Sequence, residues 1–284
     1  MQKLYAILIT KNDHAILNAW MDRHAKGFDA ISVVDGSDGG ESQAICAAYP
    51  NILYRKDPPG LITDQTLRHA AMESLRPMLK PNDWIFIAHP DEFLLHHPRQ
   101  MMHVPMPLVL WLPLVVLPHP SERELALSLL GKAFNPSTVF QHYWWRQGQL
   151  PHCEFRMFRL VQNDQWDLRS EKKSTTVIPP NFAGLPVCNL FPLYFHYKIY
   201  DLDVSRYRSN GLFVDSGLGT GLNHPVSSLD DLFFDEHRIW GDGYQAFERQ
   251  NPYIFKRFGN PPHGVTNAKG EVQIMNDDDL CIHR

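Results

Sequence analysis

An α/β fold, with a mixed and mostly parallel sheet flanked by helices, is predicted by three features of the chain. Strand-length apolar runs alternate with amphipathic helical stretches over the first ninety residues, the run Trp84-Ile85-Phe86-Ile87-Ala88 is apolar on both faces, and it opens directly onto His89-Pro90-Asp91-Glu92. A continuous apolar run of this length suits a strand covered on both sides. In open sheets of this kind ligands sit beyond the carboxyl ends of the strands, so the titratable cluster after residue 88 is where chemistry is expected.

Each element has its own local cause. Residues 4–10 read as the first strand, and Asn12 or Asp13 can cap a helix on which Ile16, Trp20 and His24 share one stripe. Residues 30–34 form a second strand that empties into Asp-Gly-Ser-Asp-Gly-Gly-Glu-Ser, a turn-rich stretch, before a short helix near 43–49. A third strand spans 51–54. After Asp-Pro-Pro-Gly, Thr63 or Asp64 caps a helix with Leu67, Ala71 and Leu75 facing inward, and 84–88 is the fourth strand. This βαβαβαβ order specifies parallel strands joined by right-handed crossovers. Neither a GxGxxG nor a P-loop accompanies it. The second half is less regular: a strand near 107–117 whose Pro113 implies a bulge or an edge, a helix near 121–131, strands near 138–145 and 153–161, and a helix near 229–250.

Composition narrows the function classes. Apolar residues at 44% and charged residues at 20% are ordinary for a soluble globular protein, and a formal charge of -4 argues against a nucleic-acid partner, which would need a basic face. Fifteen histidines hint at metal or phosphate chemistry without locating it. Cys46, Cys153, Cys188 and Cys281 are far apart and lack CxxC spacing, so neither a zinc knuckle nor a disulfide framework is indicated, and a reducing, cytoplasmic compartment is expected. The amino terminus lacks the basic and apolar regions of an export signal. The most apolar stretch, residues 107–118, is too short to cross a bilayer, so no transmembrane segment is expected; peripheral membrane contact stays open.

Four motifs in order carry a resemblance. The segment LITKNDHAILNAWMDRHAKGFDAISVVDGSDG resembles the opening of family 2-like glycosyltransferases of the GT-A (Rossmann-like) fold. WIFIAHPDEFL resembles their Asp-x-Asp-Glu-Phe signature, CEFRMFRLVQNDQWDLRSEKKS their arginine-flanked strand leading to a His-Glu pair, and YFHYKIY their late His-Tyr motif. At a strand end, side chains i and i+2 point the same way, so His89 and Asp91 are expected to face one ligand, with Pro90 keeping His89 extended.

The resemblance implies a single glycosyltransferase domain over residues 1–258, with a nucleotide-sugar half at 1–100, an acceptor half at 101–258, and a C-terminal tail at 259–284. It implies a nucleoside diphosphate-sugar donor, a UDP-sugar first among them, and a glycan or glycolipid hydroxyl as acceptor; the missing export signal and disulfide framework suggest polysaccharide biosynthesis as the setting. Asp91 and His196 would bind a divalent cation; Thr10, Lys11, Asp35, His89 and Lys198 would contact the donor, Asp35 through the base or ribose. Glu171 would be the catalytic base of an inverting displacement, with Glu154 and Asp167 as substitutes. Two positions depart from the family pattern. His89 stands in place of the first Asp and Ser170 in place of a histidine, and an imidazole ligand suits manganese better than magnesium. Structural alternatives stay open at each position: Asp35 as an Asx-turn residue, Lys11 and Glu171 as solvated charges, Asp91 or Glu92 as a cap, and His196 as a core histidine. A catalytically silent nucleotide- or sugar-binding module and a scaffolding protein are the alternatives for the whole chain.

Overall fold

The computed structural model describes residues 2–57, 64–117, 123–136, 138–139, 144–147, 154–161, 168 and 178–197, and short strands at 256–257, 264–267 and 272–274. The expected helix near 229–250 lies outside the described residues. The first half follows the predicted alternation: β1 (Leu4–Thr10), α1 (His14–His24), β2 (Ala30–Asp35), α2 (Glu41–Ala47), β3 (Ile52–Lys56), α3 (Asp64–Leu75) and β4 (Trp84–Ala88). β5 (Glu92–Leu94) follows at once. Then come α4 (Pro98–Met101), β6 (Leu108–Leu117), α5 (Arg123–Leu130), β7 (Trp144–Gln147), β8 (Glu154–Arg159), β9 (Leu190–Phe191), β10 (Leu193–Tyr197), β11 (Lys256–Arg257), β12 (Gly264–Asn267) and β13 (Val272–Ile274).

The main sheet is mixed, in the order β11-β7-β6-β8-β4-β1-β2-β3. β1 lies between β2 and β4, parallel to both, and β3 extends the parallel half; β8 then joins antiparallel to β4. The strand period of two splits β1 between two cores. Leu4, Ala6 and Leu8 pack with Ile16, Leu17, Trp20 and Met21 of α1, whereas Tyr5 and Ile7 pack with Ala71, Met72 and Leu75 of α3. β4 divides likewise, Trp84 and Phe86 to the first core and Ile85 and Ile87 to the second. Helices therefore cover both faces, and each fully buried aliphatic side chain contributes about 1.5–3 kcal/mol. Cys46 and Cys188 are buried free thiols. Among the described residues no helix is long and apolar enough to cross a membrane.

Three local expectations are refined. The irregularity expected of β6 is a register shift between Val109 and Leu110, while Pro113 falls between the last residue paired with β8 (Trp111) and the first paired with β7 (Leu114). A missing N–H is tolerated where the antiparallel partner changes. The strand expected from 138 begins only at Trp144, residues 138–139 being helical. Within the segment expected as a tail, β12 pairs with β13 and with β9.

β5 is the strand that matters most for the site. β10 pairs with it antiparallel on one edge, with His196 opposite Glu92. On the other edge α1 supplies side chains where a strand would supply backbone: Trp20 Nε1 donates to Glu92 O (2.8 Å), and His24 Nε2 accepts from Leu94 N (3.3 Å). His96, just beyond β5, accepts from Leu193 N through Nδ1 (3.1 Å). Both histidines are buried and used as acceptors, which requires the neutral ring. Burial pushes the His24 pKa well below 6.5, helped by Arg23 and His97, and pushes that of His96 down to about 4 against the opposing bond from Leu193.

These shifts fix a sign. The unfolded chain takes up protons below about pH 6.5 that the folded chain refuses, so stability is complete above that pH and falls as the pH drops toward 4. Each such histidine steepens the loss by about 1.4 kcal/mol per pH unit. Urea titrations stepped from about pH 7.5 to 4.5 should show this decline, and His96→Gln should make it shallower; a flat profile over that window would contradict the buried neutral histidines.

Candidate active site

The loops after β1 and β2 meet at one edge of the sheet because Thr10 and Asp35 are register partners. Gly36 N donates to Thr10 O (2.9 Å), and Asn12 N donates to Ser37 Oγ (2.7 Å). Asn12 takes a left-handed φ of 58°, a conformation that Asn tolerates better than most residues. Its side-chain oxygen accepts from Asp38 N (3.2 Å). Asp13 is the N-cap residue of α1, yet its carboxylate turns back to Lys11 N (2.9 Å) and Thr10 Oγ1 (3.2 Å) rather than to the helix. Thr10 and Lys11 thus sit at the expected edge, held by a carboxylate expected to cap.

Asp35 is at that edge too, but fully buried. One carboxylate oxygen accepts from Ser37 N (2.8 Å) in an Asx turn, and the other accepts from Tyr54 OH (2.6 Å) and Lys56 Nζ (3.1 Å). Burial alone would raise its pKa, but bonds from Ser37, Tyr54 and Lys56 outweigh it and hold the carboxyl below its ordinary value. Its carboxylate organises the loop from within, as the Asx-turn alternative describes.

After β4 the chain turns where an extended course was expected. Glu92 N donates to His89 O (3.2 Å), closing a β-turn over His89-Pro90-Asp91-Glu92 with Pro90 at the second position, the one its fixed φ favours. His89 and Asp91 therefore do not face one ligand as neighbours on a strand. His89 Nε2 meets Arg68 Nη2 of α3 at 3.1 Å, whereas Asp91 Oδ2 meets His196 Nε2 at 3.2 Å. β10 brings His196 there, since Tyr197 N donates to Asp91 O (2.9 Å).

One ligand atom from each of Asp91, Glu92 and His196 lies within 4.8 Å of the other two, and Asp91 and His196 are part-exposed. Two carboxylates and an imidazole form a donor set of hard oxygens with one nitrogen. Such a set could hold a divalent metal ion. His89 is not in this group.

Behind the group lies a buried charge cluster. Arg156 Nη2 bonds both Glu92 and Glu154, and Tyr194 OH donates to Glu154 (2.8 Å); the guanidinium also lies 5.4 Å from the Tyr194 ring centroid. Burial, Glu154 and Asp91 lift the Glu92 carboxyl well above its ordinary range against the pull of Arg156. For Glu154 burial is outweighed by Arg156, with further help from His196 and the Tyr194 hydroxyl, so its carboxyl is lowered. Glu154 is buried and its carboxylate is held by Arg156 and by the Tyr194 hydroxyl, the setting of a structural anion.

Glu171, Lys198, Asp167 and Ser170 lie outside the described residues. Arg68 stands outside every motif, and Glu92 and Arg156 lie within two of them without the resemblance giving either a ligand or catalytic role. Two signals were available: Glu154 and Arg156 at i, i+2 put opposite charges on one strand face, and Arg68 borders the apolar stripe of α3.

No protein-family model and no curated protein matches the sequence. Among solved structures, the chain is similar to a 4-diphosphocytidyl-2C-methyl-D-erythritol synthase at 13% identity and TM-score 0.40, covering 69% of this chain and 89% of that one. It is similar to mannosyl-3-phosphoglycerate synthase from Rubrobacter xylanophilus at 15% identity and TM-score 0.30, covering 49% of each chain. It is also similar to a putative nucleotide-diphospho-sugar transferase from Desulfovibrio desulfuricans at 9% identity and TM-score 0.34, covering 88% of this chain and 99% of that one. These are likenesses of α/β architecture; the chemistry must come from the residues.

The inward use of Asp35 is testable. Asp35→Asn weakens acceptance from Lys56 and Tyr54 in a buried setting and should cost about 1–3 kcal/mol of stability in urea unfolding. Unchanged stability with weakened nucleotide binding would instead assign the carboxylate to a donor.

Proposed function

We propose that the chain is a glycosyltransferase that moves a sugar from a nucleoside diphosphate-sugar, with UDP as the first nucleotide to test, to a hydroxyl of a glycan or glycolipid acceptor, using a divalent cation. The observation that carries this reading is the meeting of Asp91 and His196 at 3.2 Å beside Glu92, at the carboxyl end of the fourth parallel strand. These residues belong to two motifs of the resembled family that stand 105 positions apart in the chain.

Asp91, Glu92 and His196 would hold the cation, manganese before magnesium. A bound divalent cation supplies neutralisation of charge on the departing diphosphate. Arg68, whose guanidinium meets His89 at 3.1 Å, adds a permanent positive charge with the flat donor geometry that suits phosphate oxygens. Thr10 and Lys11 border the same edge, and Lys198 would be a further cation. Glu171 would take the proton of the acceptor hydroxyl as that oxygen bonds to the anomeric carbon and the bond to the diphosphate breaks, with inversion. In this scheme residues 1–100 are the nucleotide-sugar half and 101–258 the acceptor half, which also lends His196 and Lys198 to the donor diphosphate.

A second reading, a nucleotide- or sugar-binding module without turnover, is favoured by His89 standing where the resembled family has a carboxylate and by its engagement with Arg68. Release of UDP from donor sugars, with and without acceptors, separates the two.

Asp91→Asn should weaken manganese binding, read by calorimetry with UDP present, by at least about tenfold, since loss of a ligand should cost no less than loss of an outer-shell partner. Wild-type-like affinity would remove the cation from this position. Glu171→Gln keeps shape and deletes basicity, so it should leave nucleotide and cation affinity intact while lowering turnover by about a hundredfold to ten-thousandfold. Near-normal turnover would place the base elsewhere, with Asp167 the next to test.

A further inference from the structure

We infer that Arg156 is a positioning residue for the cation group, acting through Glu92 rather than by touching any ligand. This rests on the proposed cation role of Asp91, Glu92 and His196. Glu92 is 4% exposed, and its carboxylate is held by Arg156 Nη2, which also bonds Glu154. Arg156 itself is 2% exposed, and its Nε and Nη1 have no protein partner among the described residues. All of the guanidinium's hydrogen bonding to the cluster therefore runs through one nitrogen, on which two carboxylates and, at 3.5 Å, the Tyr194 hydroxyl converge.

That convergence joins three elements. Arg156 and Glu154 belong to β8, Glu92 to β5, and Tyr194, which donates to Glu154, to β10, two residues before His196. Because Glu92 and His196 are register partners, fixing the Glu92 side chain fixes one wall of the group that His196 and Asp91 complete. Two carboxylates this deeply buried would repel each other without the guanidinium, and Glu92 would lose its present place beside Asp91. Outer partners that orient metal ligands typically contribute ten- to a hundredfold in affinity.

The test reads cation affinity and stability, not turnover. Lysine is one bond shorter than arginine, so Arg156→Lys keeps the buried charge while its ammonium falls short of the place of Nη2. It should weaken manganese binding about tenfold by calorimetry, and the same substitution in a Glu92→Gln background should change affinity by less than about twofold. Tyr194→Phe disturbs the cluster while leaving Arg156 on Glu92, and should stay within about twofold of wild type. Should Arg156→Lys fail to fold, the charge-balanced pair Glu154→Gln with Arg156→Met takes its place with the same expected loss. An equal loss in both backgrounds, no loss with either perturbing variant, or a loss with Tyr194→Phe as large as theirs would overturn the inference while the cation reading stands. A wild-type chain that binds no manganese would overturn both.

Discussion

A three-residue strand buried on both edges must find backbone partners on both, and the site depends on how β5 meets that demand. β10 satisfies one edge. The other is satisfied by the indole of Trp20, which donates to Glu92 O, and the imidazole of His24, which accepts from Leu94 N, where a neighbouring strand would. An unpaired buried peptide group costs about 1–3 kcal/mol, so these side chains are part of the sheet in an energetic sense. They hold the chain just past the turn at Pro90, and the turn sets where Asp91 points. α1 is thereby more than a covering helix, since its inner stripe fixes the floor of the site.

Much of the fold could be read in the sequence because its signals were local. The continuous apolar run at 84–88, the i, i+4 stripe at Ile16, Trp20 and His24, and the Gly- and Asp-rich stretch after residue 35 each specify their element without help from distant residues. That Asp91 and His196 come together was implied by the family resemblance and not by any local signal. What could not be read is tertiary. Whether Pro90 continues a strand or opens a turn depends on β10, whose Tyr197 N donates to Asp91 O, and whether Asp35 looks inward depends on Tyr54 and Lys56, two and four residues into the third strand from its start at Ile52. The burial of Arg156 needed β5, β8 and β10 to come together, which no window of sequence contains.

Charge is distributed unequally between the surface and the interior of this region. Exposed ion pairs such as Arg76 with Glu73 contribute little. The costly charges are concentrated behind the candidate site, where two glutamates and one arginine are kept from water. Replacing such a triad with apolar residues often stabilises a protein, so its presence next to a functional group is more readily explained by the site than by the fold.

The 105 residues between Asp91 and His196 also have a consequence in time. At ordinary rates of synthesis they separate the emergence of the two side chains by about 5 to 20 s. During that interval β1 to β4 have the chain they need to form their parallel sheet, and Trp20 and His24 can already grip one edge of β5. Its other edge waits for β10. Until that strand arrives, Asp91 and Glu92 lack the histidine that completes their group, so a nascent chain can have its parallel sheet while the third member of the group is still unmade.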